Sequence, residues 1–142
     1  MIRSLKYKMT SDTRRLKGLS DFLVRSLSPR VRDRDFLDDI IISADEIATN
    51  IIIHAYDRKK GMPIGVELLL GRKKVVLTFR HAGAVFDPKK VPRPVLSKRM
   101  SERKSGGLGL FIIDQLMDEV VYKFKKREND LNSITVVKYF GN

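Results

Sequence analysis

Glu46, Asn50 and His54 follow one another at four-residue steps inside an otherwise apolar stretch. On an α-helix that spacing sets them in one line along the axis, with roughly 40° of drift per step. Burying a carboxylate and an amide without partners costs several kcal/mol, a large part of the ~5–15 kcal/mol that holds a small domain together. Either the protein's own backbone and loops supply partners or a ligand does, and spacing alone leaves both open. A second feature is the run Ser105-Gly106-Gly107-Leu108-Gly109 ahead of an apolar segment. Glycines at a helix start expose unhindered N–H groups and the positive end of a helix dipole, which suits a phosphate. They also serve tight packing, and neither a P-loop nor a Gly-x-Gly-x-x-Gly after a strand is present. The run gains weight from sharing one chain with the polar line and with Gly83, which follows a strand-like segment.

These residues need a scaffold. The chain has 142 residues, 42% of them hydrophobic, which suits one domain with one core, taken as residues 1–142. It has no cysteine, which excludes disulfides, thiolate metal sites and cysteine nucleophiles, and two histidines are too few for a histidine-based metal centre. The first residues lack the apolar run of a secretory signal, and no stretch approaches the ~20 apolar residues of a spanning helix. Cytoplasm is therefore the expected location, with no membrane partner. The net charge of +12 is spread over several short basic groups and comes without a helix-turn-helix, zinc-finger or RNP pattern. A solvated basic surface is its expected meaning, and a salt-sensitive nucleic-acid binder is only the third-ranked reading.

Alternation of Leu5, Tyr7 and Met9 against lysines predicts an edge strand over 3–9. Ser11 or Asp12 can cap the helix that carries Leu16, Leu19, Phe22, Leu23 and Leu27 and stops at Pro29. A buried helix is expected over 35–56, a hairpin from 64–70 and 75–79, an irregular lid over about 87–105, a helix from the glycines to about 117, and strands over 120–126 and 134–140. That order makes an α+β two-layer sandwich, a mixed and mostly antiparallel sheet covered on one face by helices.

Three segments carry a family resemblance. The run Asp45-Glu46-Ile47-Ala48-Thr49-Asn50-Ile51-Ile52-Ile53-His54-Ala55-Tyr56 resembles the N-box of the anti-sigma-factor serine kinases of the GHKL, or histidine-kinase-like, ATPase superfamily. Thr78-Phe79-Arg80-His81-Ala82-Gly83 with Phe86-Asp87-Pro88 resembles their first glycine box, and Gly106-Gly107-Leu108-Gly109-Leu110 their second. The resemblance implies ATP and Mg²⁺ as ligands, with Asn50 as the metal ligand and Glu46 as the residue that orients or deprotonates the attacking hydroxyl. It gives Gly83 to the base, and Ser105, Gly106, Gly107, Leu108 and Gly109 to the lid and phosphate wall. Lys98 and Arg103 precede the glycines and could reach phosphates. One position departs from the pattern: His81 stands where the family has an aspartate that accepts a hydrogen bond from the adenine amino group. A neutral imidazole accepts through one nitrogen only.

The function implied is a protein serine/threonine kinase that sequesters a sigma factor and phosphorylates an anti-sigma-factor antagonist, working as a homodimer. The alternative is a non-catalytic binding module of the same fold whose ATP binding is weakened or lost through His81. Sensor histidine kinases share the fold but need a phosphoacceptor histidine outside the nucleotide domain, and neither His54 nor His81 stands there.

Overall fold

A computed structural model of the chain describes residues 2–85 and 107–141, with side chains in the second stretch from residue 111 onward. Edge strand β1 (Arg3–Thr10) runs into Ser11, which is fully buried; its Oγ donates to the carbonyl of Lys59 and accepts Met62 N–H at 2.8 Å. Asp12 caps the chain after β1, as expected, but the cap serves a short 3₁₀ turn (Thr13–Arg15) before α1 (Leu16–Leu27) begins. Leu19, Phe22, Leu23 and Leu27 form the buried stripe of α1. Helix α2 (Arg34–Asn50) starts on Asp33, whose carboxylate accepts the N–H groups of Asp35 and Phe36 at 3.0 and 3.3 Å.

The helix expected over 35–56 forms over nearly that whole length, but its last turn is not α-helical. After Asn50 the backbone changes to a π-helical turn (Ile51–Ala55), in which Tyr56 N–H bonds back to Ile51 O at 2.9 Å. The cause is a contact from far along the chain: Ala55 O accepts Ala84 N–H at 2.8 Å. Such π turns concentrate at functional sites. Two residues in the left-handed region, Asp57 and Arg58, then turn the chain towards β2 (Pro63–Leu70).

Strand β2 pairs with β1 and with β3 (Lys74–His81); β3 also pairs with β5 (Asn132–Tyr139), and β4 (Glu119–Lys123) closes the far edge, giving the order β1-β2-β3-β5-β4. Every pairing among the described residues is antiparallel, so the expected mixed sheet is corrected to an antiparallel one. Alternate residues of β2, β3 and β5, among them Ile64, Leu68, Leu77, Phe79, Ile134 and Val136, join the helices in one hydrophobic core. The layers are thus those of the expected α+β sandwich. Helix α3 (Gly107–Leu116) packs on α2, and Lys138 of β5 binds its last turn, donating to Leu116 O at 2.7 Å while facing Asp39 of α2 at 3.3 Å. Strand β4 stops three residues short of its expected end, because Lys125 N–H is taken by the Asn132 side chain at 2.8 Å instead of the ladder.

Candidate functional site

Helix α2 carries the first two residues of the polar line. Asn50, its last α-helical residue, is 3% exposed, and its Nδ2 has no hydrogen-bond partner among the described residues. Glu46 lies one turn earlier, half-buried and without a hydrogen bond among the described residues. Burial raises its pKa above the usual carboxylate value, and the adjacent Asp45 charge adds to the rise. A carboxylate in that state is a stronger base than one in water. His54 falls in the π turn, so the straight line foreseen for all three residues ends at Asn50.

The first glycine box forms a turn over 82–84 that the protein itself holds at almost every polar backbone atom. Ala82 N–H donates to Tyr56 Oη at 2.9 Å, and the same hydroxyl donates to Pro63 O at 2.6 Å. Gly83 N–H donates to His81 Nδ1 at 3.2 Å. Asn132 Nδ2 donates to Gly83 O at 3.0 Å and Lys125 Nζ to Ala82 O at 3.3 Å, while Ala84 N–H reaches the π turn at Ala55 O. The glycine is required by closeness: a Cβ at Gly83 would stand 2.7 Å from Ala55 O, a backbone atom. Its close approach is therefore to the end of the α2 segment, a packing role beside the one implied at the base.

His81 ends β3 on the core side, 3% exposed, with Tyr56 edge-on to its ring at 5.9 Å. Burial, reinforced by the Lys125 charge, lowers its pKa to about 4, so it is neutral at pH 7. On the β4–β5 side, between His81, Tyr122, Phe124 and Ile134, remains a cavity of about 10 Å³, room for one water and not for a ring.

The backbone of Gly107, Leu108 and Gly109 forms the first turn of α3, beside α2, as expected for a helix opened by glycines. Ser105, Gly106, Lys98, Arg103 and the lid over about 87–105 lie outside the described residues. The 82–84 turn and α3 thus both adjoin α2 and its π extension, the element that carries Glu46 and Asn50. Sequence reasoning missed Asn132, Lys125 and the clamp made by Tyr56. Asn132 had a signal, being a polar residue on the face that Ile134 and Val136 make apolar; Lys125, whose reach depends on the path of the β4–β5 connection, had none.

The residues fit a hard cation of the Mg²⁺ type. Such an ion takes one or two protein oxygens and completes its shell with phosphate and water; Asn50 would offer its Oδ1, while its buried Nδ2, which has no partner among the described residues, is a donor suited to a phosphate oxygen. Among the described residues no group of three or more acidic, histidine or cysteine side chains could hold a metal without such help. No helix among them is long and apolar enough to cross a membrane.

Comparison with known proteins agrees with this geometry. The chain matches the histidine kinase-like ATPase domain over residues 9–138. The serine-protein kinase RsbW of Halalkalibacterium halodurans is 37% identical over 91 residues, 63% of this chain and 56% of that protein. An anti-sigma F factor of Caldanaerobacter subterraneus is 26% identical over 115 residues, 81% and 76% of the two chains. The serine/threonine-protein kinase BtrW of Bordetella bronchiseptica is 28% identical over 102 residues, 70% and 68%. The chain thus matches little more than half the length of the first of these relatives. Motifs, antiparallel sheet and a match that runs from β1 to β5 agree, and the chain belongs to the histidine kinase-like ATPase family, with the anti-sigma-factor serine kinases as its relatives.

Proposed function

We propose that the chain is a protein serine/threonine kinase domain that binds Mg²⁺–ATP and regulates a sigma factor by sequestering it and by phosphorylating an antagonist protein. The observation that carries the reading is the buried Asn50, whose Nδ2 has no partner among the described residues, one helical turn from Glu46, whose carboxylate burial makes more basic. Bound Mg²⁺ would neutralise charge on the triphosphate. Asn50 would hold it through its amide oxygen, and Glu46 would take the proton of a serine or threonine hydroxyl as that oxygen bonds to the γ-phosphorus and the bond to the leaving nucleoside diphosphate breaks. His81 would lie against the base, with the 82–84 turn as a rigid wall. The name of one relative, an anti-sigma F factor, supports a sigma factor as partner, and family likeness supports the antagonist protein, the homodimer and the cytoplasm.

The test is single-turnover transfer of labelled γ-phosphate, from ATP and from GTP, to an antagonist-type protein of the same genome. Wild type transfers in the presence of Mg²⁺. Glu46→Gln keeps shape and hydrogen bonding but loses the basic oxygen, and should transfer about a hundredfold more slowly at nearly unchanged nucleotide affinity. A wild-type protein that binds nucleotide yet transfers to no such partner is a binding module instead. Glu46→Gln transferring at the wild-type rate removes Glu46 as the base.

A further inference from the structure

The face of the sheet turned away from α2 gathers part of the basic excess into one place. Arg80 lies between the core residues Phe79 and His81 on β3, so its side chain stands on that outer face. The antiparallel register sets Arg80 opposite Ser133 of β5, and Ser133 opposite Lys123 of β4. The two cations thus share one row, two strands or roughly 10 Å apart, with only a small hydroxyl between them. Over this row lies a groove of about 850 Å³, to which the β4–β5 connection brings Phe124, Lys126 and Leu131. Some of its cations are already engaged: Arg80 faces Glu67 at 3.6 Å, and Lys125 gives its Nζ to Ala82 O. Lys123 and Lys126 are exposed and make no hydrogen bond or ion pair with any described residue. Phe124 and Leu131 are 43% and 51% exposed. Single exposed apolar residues are ordinary, but these two share a groove with four cations.

Three features decide what chemistry would fill it. Arg80, Lys123, Lys125 and Lys126 against Asp130 leave the lining three positive charges in excess, which calls for an anion. Phe124 and Leu131 call for large apolar groups on the same ligand, and a leucine side chain offers no stacking platform to a nucleobase. Asp130 repels a phosphodiester but accepts from a peptide N–H. A nucleic-acid strand therefore suits the charge alone, whereas an acidic peptide suits all three. An extended chain turns successive side chains to opposite sides, so carboxylates at alternate positions can meet Arg80 and Lys123 while the residues between them reach Phe124 or Leu131. We propose that this groove docks an extended acidic segment of a partner protein, in which carboxylates alternate with large apolar residues. The sheet separates the groove from the helix that carries Glu46 and Asn50, so the proposal adds a contact surface and does not rest on the nucleotide reading.

The probe is a short labelled peptide of alternating glutamate and leucine, titrated with the full chain at low salt and followed by fluorescence anisotropy. It should bind at least about tenfold more tightly than the same peptide with glutamine for glutamate, or than a single-stranded oligothymidylate of equal charge. Lys123→Glu combined with Lys126→Glu, both at exposed positions, should weaken it by about tenfold or more. Phe124→Ser, which leaves the charge untouched, should weaken it too. Arg72→Glu combined with Lys73→Glu makes the same change of charge at the opposite end of β3, and should leave the affinity within about twofold. An equal loss in that second pair would mean diffuse attraction to a basic protein and overturns the docking site. Oligothymidylate binding as tightly as the acidic peptide, and released by the Lys123 and Lys126 reversals, overturns it in favour of nucleic acid. A wild type that holds the glutamate peptide no better than the glutamine one overturns it as well. No nucleotide is present in the assay, so each of these failures leaves the nucleotide reading as it stands.

Discussion

Two neighbouring regions of the molecule treat their polar groups in opposite ways. In the turn over 82–84 the N–H groups of Ala82, Gly83 and Ala84 and the carbonyls of Ala82 and Gly83 are bonded to Tyr56, His81, Ala55, Lys125 and Asn132. A few residues earlier along the helix that supports this turn, Asn50 keeps a buried amide hydrogen-bonded to nothing described, and Glu46 keeps a carboxylate that burial has made more basic. Buried polar groups are normally satisfied, and a half-satisfied cluster weakens a fold. The difference therefore separates two tasks. The turn is finished by the protein; on the reading proposed above, a ligand would finish the Glu46–Asn50 edge, which no described residue completes.

That contrast can be broken from either side, and acid gives the largest expected effect. His81 belongs to the finished region and is buried neutral, with its pKa lowered from 6.5 to about 4 by desolvation and by Lys125. Between those values the unfolded chain binds a proton that the folded chain refuses, so stability rises with pH there. The contribution is fully present above pH 6.5 and is lost as pH falls through 4, a difference of about 3 kcal/mol. Urea unfolding at pH 7 and pH 4 should show this loss in wild type beyond that in His81→Asn, which has nothing to titrate at this position. Equal pH dependence in the two proteins would mean that the ring is solvated.

Asn132→Ala should cost about 2 kcal/mol at pH 7, since it leaves Gly83 O and Lys125 N–H unpaired at once. Chemical denaturation measures it, and amide exchange at Gly83 and Ala84 should speed up with it. A loss under about 0.5 kcal/mol would show that the turn holds itself without Asn132.

Much of this arrangement is visible in the order of residues, and the exceptions have a common cause. The three- and four-residue steps of Leu16, Leu19, Phe22, Leu23 and Leu27 mark α1, and the hairpins appear through alternation, because those signals are local. Glu46, Asn50 and Gly83 stand out by type and spacing, and so does the His81 departure. The π turn is not visible, because it depends on Ala84 N–H reaching Ala55 O from nearly thirty residues away. The early end of β4 depends likewise on the Asn132 side chain. In each of these a non-local hydrogen bond decides among local alternatives of similar energy.

The smallest expected change in stability carries the most direct test. Asn50→Ala removes a group that no described residue satisfies, so unfolding free energy should change by less than about 1 kcal/mol, while Mg²⁺-dependent binding of nucleoside triphosphate, measured by calorimetry on the same preparation, should disappear. A variant that unfolds, or one that stays folded and binds Mg²⁺–nucleotide as tightly as wild type, would contradict the assignment of Asn50 to a ligand and with it the nucleotide site.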